Sequence, residues 1–477
     1  MANLDQARAH SLPLFRLTKV KDTSGSGRIP VDHYHGGKHI KYWRDPVSST
    51  AARWTEFRAL PLVVDSSGMP WAEACLWILE RAQAKPRAIN SLAPVAQDLA
   101  AYRAFLDELA LEWHDFSAIE KYARPTYLFQ SHLNNQINAD ELSKSTASRR
   151  MATVISFYRF LMRTSRMQFS PENPPWVDRG VSIRYRDTKG FNQIATVTTT
   201  DVSIKANRRQ DAMAETIDDG GKLRPLSVVE QRALVSALKE LANREYSLMH
   251  YTALLTGARE MTVLTLRVRD VLVSPAEIPQ WPHKIRCGPS TDIDTKGDVS
   301  GVYLAMPRML YELLHAYAVS ARAMRRRQKS ELGEAPRNYL FLTNQGQPYY
   351  ESKEDRNALR DGLTPLRRSA LSGRPLRKFI EQSVIPLVQK EFPQFQYRFH
   401  DLRATFGMNW VDYQMKEAGS DFGKRYLWAR DELRKLMWHK SPLITDKYLE
   451  HREHVRHLQL AQQGWSDHLV ELIQESQ

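Results

Sequence analysis

The segment Phe399-His400-Asp401-Leu402-Arg403-Ala404-Thr405-Phe406 is followed downstream by His439-Lys440-Ser441 and by Tyr448, nine positions beyond His439. His400 and Arg403 are three positions apart, so on a helix they share one face. Such a pair is more often structural than functional, and a tyrosine at helical spacing more often packs in a core. The combination of arginine, histidine and tyrosine nevertheless suits chemistry on a phosphodiester.

Two upstream fragments complete the set. Thr256-Gly257-Ala258-Arg259 ends an apolar helical pattern, and Asp294-Thr295-Lys296-Gly297 reads as a turn between two strands. Taken singly, Arg259 suits a surface ion pair at a helix start, and Lys296 suits a hairpin tip.

Together, these residue types form a chemical unit. Two arginines can clamp the non-bridging oxygens of a phosphodiester, and fixed donors there stabilise the charge that develops in the transition state. Histidines can donate hydrogen bonds or move a proton near neutral pH. A lysine can protonate the leaving 5′ oxygen, and a tyrosine can attack phosphorus to form a phosphotyrosyl ester. The set requires no metal ion.

In its order of Arg, Lys, His-x-x-Arg, His and Tyr, the chain resembles the tyrosine recombinase (phage integrase) family. The resemblance covers the helical region 66–175 and all of 223–460. Thr256–Arg259, His400–Thr405 and His439–Tyr448 match the three motif regions.

The resemblance implies a role for each residue. Arg259 and Arg403 would clamp the scissile phosphate, and His439 would donate a hydrogen bond to it. His400 would be a general base or a phosphate ligand. Tyr448 would form the 3′-phosphotyrosyl link. Lys296 would be the general acid, with Lys284 and Arg286 nearby as alternatives.

The sequence departs from the family pattern in several places. Thr262 stands where the family has an acidic residue three positions after the first arginine, and Trp438 stands where it has glycine. The long spacing between Arg403 and His439 suggests an insertion at 416–430, and 325–395 looks expanded. These features predict a divergent and unusually long member of the tyrosine recombinase family.

The excess of basic residues indicates that the partner of the chain is a polyanion. The 477 residues include 68 Lys or Arg and 54 Asp or Glu, a formal charge of +14. Such an excess favours nucleic acid, although anionic membranes and acidic proteins are also attracted. No apolar run approaches the roughly 18 residues of a membrane helix, and no secretory signal is evident. Two distant cysteines suit a reducing cytoplasm.

The pattern predicts a mainly α fold with a small β-hairpin or sheet (α+β). We expect a basic, irregular N-terminal arm over 1–65, with a strand or loop packed on the next domain as the alternative. A helical, SAM-like core-binding domain is expected over 66–175, a linker or insertion over 176–222, and the catalytic domain with a C-terminal tail over 223–477. Ser227 and Glu230 have the spacing of a capping box.

DNA contacts are predicted for basic residues outside the catalytic set. The candidates are Arg149, Arg150, Arg325, Arg326 and Arg327. The alternative for the triple arginine is a solvated helix face.

The resemblance implies double-stranded DNA as substrate and a homotetramer on synapsed DNA, with the tail after Leu458 on a neighbouring protomer or docked within its own chain. Accessory proteins are possible partners, and neither cofactor nor membrane is expected. The expected location is the cytoplasm, at the nucleoid. A catalytically impaired DNA-binding protein and a type IB topoisomerase or resolvase are alternatives.

Two histidine groups resemble metal sites only superficially. His451, His454 and His457 lie on one helical stripe, and His33, His35 and His39 cluster in the arm. Neither group has cysteine or carboxylate partners at ligand spacing, so no metal is expected.

Overall fold

The computed structural model describes residues 6–18, 29–35, 38–44, 54–84, 89, 91–164, 169–186, 192–205, 216–297, 299–358, 371–416 and 422–475. They divide into two units, one N-terminal to residue 210 and one from residue 210 onward. The described residues are mainly helical with several two-stranded antiparallel sheets, which confirms the predicted α+β class.

The N-terminal unit begins with strands. The first four are β1 (Arg8–Thr18), β2 (Ile29–His35), β3 (Lys38–Arg44) and β4 (Trp54–Val64). Strand β1 pairs with β4, with Arg8 opposite Val64, and β2 pairs with β3. Phe57 and Val63 of β4 are buried in the core of this unit. These segments therefore form strands where an irregular arm is expected, and residues of β1 and β4 pack in the core of this unit.

Four α-helices follow, as the apolar periodicity predicts. They are α1 (Ala72–Ala84), α2 (Ala93–Glu108), α3 (Pro125–Asn138) and α4 (Lys144–Arg163). Their core is rich in aromatic rings, and the hydroxyls of Tyr102 and Tyr158 lie 2.8 Å apart within it. Because each buried hydroxyl has a polar partner, these rings are buried without an unsatisfied group.

Within the predicted linker, part of the chain is a hairpin. Strand β5 (Asp178–Arg186) pairs with β6 (Asn192–Thr200), and Val181 lies opposite Val197. The hairpin occupies part of the region 176–222, which the sequence predicts to be a linker or an insertion.

The second unit starts with a very short hairpin and continues mainly as helices. In chain order the elements are β7 (Ile217–Asp218), β8 (Lys222–Leu223), α5 (Val228–Glu240), α6 (Arg244–Thr256), α7 (Glu260–Leu264), β9 (His283–Cys287), β10 (Val302–Met306), α8 (Arg308–Ala318), α9 (Ala321–Gln328), α10 (Lys353–Ala358), α11 (Arg374–Phe379), α12 (Ile385–Gln389), α13 (Asp401–Lys416), α14 (Phe422–Leu436) and α15 (Pro442–Glu475). The capping box at the start of α5 is confirmed, since the side chains of Ser227 and Glu230 each accept from the other's backbone N–H.

Two cores position the candidate site. A large one joins α5, α6, α8 and the β9–β10 hairpin, and a smaller one joins α13, α14 and α15. Ile217 and Leu223 of the β7–β8 hairpin are buried in the smaller core, which anchors that hairpin beside α13 and α15. The predicted Lys296–Gly297 turn lies between β9 and β10, although the strands are shorter than expected.

No helix among the described residues is both long and apolar enough to cross a membrane.

Candidate active site

Arg259 is positioned by a sharp helix end. Gly257 terminates α6 at φ +67°, in the left-handed region that glycine adopts without strain. A Cβ on Gly257 would lie 2.5 Å from a ring carbon of Phe406, so the backbone also approaches α13 closely. Arg259 then begins α7, and its side chain is mostly buried.

Arg403 connects three segments of the unit. It is only 1% exposed, and its Nη1 donates to the Gly257 carbonyl at 2.7 Å. Nη2 donates to the Met437 carbonyl at the end of α14. Nε donates to Asp219 in the turn between β7 and β8, at 2.8 Å. The guanidinium is therefore held rigidly, with one edge toward the centre of the site. His400 lies in the turn just before α13.

His439 follows an unusual residue. Trp438 has φ +56°, so the left-handed conformation that glycine would favour is present although the residue is tryptophan. Its indole Nε1 donates to the Tyr303 carbonyl at 3.0 Å. The Nδ1 of His439 lies 2.9 Å from the Thr445 hydroxyl, and its ring stacks on Tyr448 with centroids 5.7 Å apart.

Tyr448 lies on α15 and is fully buried. Its ring packs on Gly407 of α13, where an added Cβ would be 2.5 Å from the Tyr448 Cε1. The absence of a side chain at residue 407 thus makes room for the tyrosine.

Lys296 is exposed and meets the β7–β8 turn. Its Nζ lies 2.4 Å from the position that a Cβ on Gly220 would take. The alternatives Lys284 and Arg286 point outward from β9. Lys284 lines an open cleft together with Trp438 and Lys440.

Thr262 directs its hydroxyl to the loop that carries Lys296. Its hydroxyl donates to the Asp294 carbonyl at 2.8 Å, while the Thr265 hydroxyl accepts from the Asp294 N–H at 2.9 Å. Thr262 of α7 and Thr265 just after it therefore hold the backbone of Asp294, two residues before Lys296. Thr262, which stands where the family has an acidic residue, is uncharged and fixes the backbone of the loop that carries Lys296.

Sequence reasoning missed Asp219, a buried carboxylate at the centre of the site. Its Oδ2 accepts from Arg403 Nε, lies 3.2 Å from His439 Nε2, and accepts from the Tyr448 hydroxyl at 3.1 Å. Its Oδ1 accepts from Arg259 Nη2 at 3.4 Å. Four of the six predicted residues thus converge on one anion. The only sequence signal was the turn-forming run 218–221, which equally suits a solvated loop.

The charges of the site influence one another strongly. Burial alone would raise the pKa of Asp219, but the His439 hydrogen bond and the Arg403 charge hold it well below its usual range. Burial lowers the pKa of His400 to about 4, and the charges of Arg403 and Arg259 add to this effect. Burial also lowers the pKa of His439. Both imidazoles are therefore neutral at pH 7, a state in which each can accept one proton.

Two features bear on phosphate chemistry. Arg259 Nε is buried and lacks a hydrogen-bond partner within the described part of the chain. Burial and the Asp219 charge raise the pKa of Tyr448 well above its ordinary value, so the hydroxyl is protonated in this state. The site can bind an anion, and the protonated Tyr448 hydroxyl would need a base in order to act as a nucleophile.

The basic residues predicted to contact DNA divide into two groups. Arg149 is half exposed and lies 3.1 Å from Asp98, and Arg150 is next to it on α4. Of the three predicted arginines on α9, only Arg325 is exposed.

The prediction is wrong for the other two predicted arginines, Arg326 and Arg327, which are buried. Arg326 Nη2 lies 3.1 Å from the fully buried Glu245, and Arg327 Nε lies 2.7 Å from Glu334. Arg326 is structural because it shares with Arg322 the compensation of the buried Glu245 charge, and Arg327 also donates to the Ala318 carbonyl.

The residues described here contain no group of three or more His, Cys, Asp or Glu placed to hold a metal ion. His451, His454 and His457 lie on the exposed part of α15 or at its margin, and His39 lies 3.2 Å from Asp32. The side chains of His33 and His35 are outside the described set.

No protein-family model matches the chain, and no curated protein matches it. Among solved structures, it is similar to the Tn1549 transposon integrase in complex with transposon right end DNA, with 12% identity and a TM-score of 0.40 over 79% of this chain and 94% of that one. It is also similar to a lambda integrase dimer bound to a COC′ core site, with 13% identity and a TM-score of 0.38 over 78% and 93%.

Proposed function

We propose that the chain is a tyrosine recombinase, a site-specific enzyme that cleaves and rejoins double-stranded DNA through a 3′-phosphotyrosyl intermediate without metal or ATP. One observation carries the proposal. Donors from three separate stretches of the sequence all point at a single anion position; they belong to Arg259, Arg403, and the pair His439 and Tyr448. A phosphodiester at that position would meet two guanidinium groups, an imidazole and the hydroxyl of a nucleophile.

The chemistry follows from these positions. The Tyr448 oxygen attacks phosphorus and the bond from phosphorus to the 5′ oxygen breaks, so that a 3′-phosphotyrosyl ester and a free 5′ hydroxyl result. Arg259 and Arg403 stabilise the charge on the non-bridging oxygens. The unpartnered Nε of Arg259 offers a further donor for one of those oxygens.

Two proton transfers accompany the attack. The Tyr448 proton passes to the neutral imidazole of His400, because His439 offers Nε2 as a donor at the anion position while its Nδ1 faces the Thr445 hydroxyl. The leaving oxygen takes a proton from Lys296, whose loop is tethered by Thr262. Ligation is the same sequence in reverse, with a 5′ hydroxyl attacking the phosphotyrosyl ester.

The assembly belongs to the proposal as well. Helix α15 continues far beyond Tyr448 and exposes apolar side chains at Trp465, Val470 and Ile473. An apolar stripe of this kind suits packing against a neighbouring protomer, as expected for a tetramer on two DNA sites. Integration or excision of a mobile element is the fitting biological role.

The experiment is covalent trapping on a nicked suicide duplex built from the DNA ends of the element that carries the gene. Wild type is expected to form a covalent protein–DNA complex, and Tyr448→Phe to form none. Tyr413→Phe is the matched control, because Tyr413 lies on α13 and is 60% exposed. A covalent complex that persists in Tyr448→Phe would refute the nucleophile. DNA binding without cleavage by wild type would favour a catalytically impaired binding protein.

A further inference from the structure

Asp219 holds the position that the proposed reaction requires for its substrate. Its Oδ2 is within 3.2 Å of donors on Arg403, His439 and Tyr448. A carboxylate and a phosphodiester are both monoanions with two terminal oxygens, so they compete for the same donors. While Asp219 is present, phosphorus cannot approach the Tyr448 oxygen.

We propose that Asp219 is a built-in competitor of the scissile phosphate and that the β7–β8 hairpin closes the active site until DNA displaces it. This inference rests on the proposed function, because it identifies the incoming anion with the phosphate to be cut. It makes Asp219 an autoinhibitory group and not a permanent part of the catalytic set.

The β7–β8 hairpin has a base, Ile217 and Leu223, that is buried, and a tip, residues 219–221, that has few contacts among the described residues besides those of Asp219. Ile217 and Leu223 are buried in the core beside α13 and α15. Only two residue pairs join the strands, and Gly220 turns the tip at φ +72°. Beyond Asp219 itself, the largely exposed Arg398 donates to the Lys222 carbonyl at the base of the hairpin. Lys447 Nζ donates to the Asp218 carbonyl at 3.3 Å and lies 3.2 Å from the Asp218 carboxylate at the surface. An exposed pair of this kind contributes little, so the Asp219 contacts themselves decide whether the tip stays closed.

The same tip contacts the proposed general acid. Lys296 is exposed as a whole, but its Nζ lies against Gly220, 2.4 Å from the position that a Cβ would take there. Withdrawal of the tip would therefore free the phosphate position and Lys296 in one movement. The hairpin touches Arg259, Arg403, His439, Tyr448 and Lys296.

Displacement is an exchange of one anion for another. If Asp219 left without a replacement, Arg259 and Arg403 would remain close together and buried without a counter-charge. The site therefore opens when a phosphate arrives, and stays closed in its absence. Such a device protects the tyrosine from reaction with anions that bind too weakly to displace the carboxylate.

The test uses the full-length chain and inorganic phosphate, with binding measured by calorimetry and by thermal shift. Asp219→Asn keeps the shape of the side chain and removes its charge. We expect it to bind phosphate about tenfold more tightly than wild type, or better, because the competing state is weakened. We also expect phosphate to raise its melting temperature more than that of wild type. Asp218→Asn is the charge-matched control on the same hairpin and should remain close to wild type.

Hydrogen exchange of the wild-type chain provides a measurement that needs no variant. The Asp219 N–H donates to the Gly221 carbonyl at 3.1 Å, and saturating phosphate should accelerate exchange at 217–223. Unchanged exchange, or phosphate binding in Asp219→Asn no tighter than in wild type, would overturn the inference and make Asp219 a positioning residue. Phosphate binding as expected, with no covalent complex on DNA, would count against the proposed function alone.

Discussion

Gly407 and Tyr448 are in direct contact, and a Cβ on Gly407 would lie 2.5 Å from Tyr448 Cε1 and 3.1 Å from Met437 Sδ. Gly407→Ala favours the α13 helix by about 1 kcal/mol, yet it forces the tyrosine ring to move. We expect covalent complex formation to fall by about 100-fold, since a displacement near 1 Å is enough for such a loss.

The measurement is single-turnover cleavage of the suicide duplex, with DNA affinity determined in parallel. Affinity should be unchanged, because residue 407 is buried under α15. Gly464→Ala is the matched control, since nothing lies within 4 Å of a Cβ at that position. Normal cleavage by Gly407→Ala would show that the ring position is not critical.

Trp438 combines a strained backbone with a useful side chain. Substitution by glycine or alanine removes the same indole and its hydrogen bond to Tyr303, but only glycine relaxes the backbone at φ +56°. We therefore expect Trp438→Ala to be less stable than Trp438→Gly by about 1 kcal/mol. Urea unfolding of the two variants measures this difference directly. A higher free energy of unfolding for Trp438→Ala than for Trp438→Gly would contradict the proposed backbone strain at residue 438.

Thr262 is expected to act through Lys296. Thr262→Val keeps the volume and removes the donor to the Asp294 carbonyl, at a cost of about 1 kcal/mol in stability. Cleavage should slow while DNA binding stays unchanged. A substrate with sulfur in place of the leaving 5′ oxygen should restore most of the rate, because a thiolate leaves without protonation. The sulfur substrate should restore the rate of Lys296→Ala in the same way. A defect in Thr262→Val that the sulfur substrate does not restore would show that Thr262 does not act through Lys296.

The arginines of α9 differ in role although they are adjacent. Arg326→Ala leaves buried Glu245 with one cation fewer, so the free energy of unfolding should drop by about 3 kcal/mol. Arg325→Ala should change it by less than about 0.5 kcal/mol, because that side chain is exposed. Denaturant titration compares the pair. Equal stability of the two variants would contradict the structural role of Arg326.

The features that could be predicted from the sequence depend on residues that lie close together in the chain. The capping box of Ser227 and Glu230 depends on residues three positions apart, and the reacting side chains carry motif spacing of their own. Asp219 is 184 positions from Arg403, so no local pattern relates the two. The burial of Arg326 depends in the same way on distant Glu245, and the arm strand β1 depends on its partner β4. Charge identifies a basic residue, but only tertiary packing decides whether it faces solvent or a buried acid.

His250 should make the stability of the chain depend on pH. It is fully buried between the Tyr246 carbonyl and the Tyr397 hydroxyl, and burial lowers its pKa to about 4 from an ordinary value of 6.5. Between these values the unfolded chain binds more protons than the folded one, so acid favours unfolding. The contribution is fully present above pH 6.5 and is lost as the pH falls toward 4, at a slope of up to about 1.4 kcal/mol per pH unit. Urea unfolding at pH 7 and pH 5 should show a smaller difference in His250→Gln, whose amide keeps a donor and an acceptor. An equal difference in the two proteins would assign the acid sensitivity to other groups, of which His400 is the first to test.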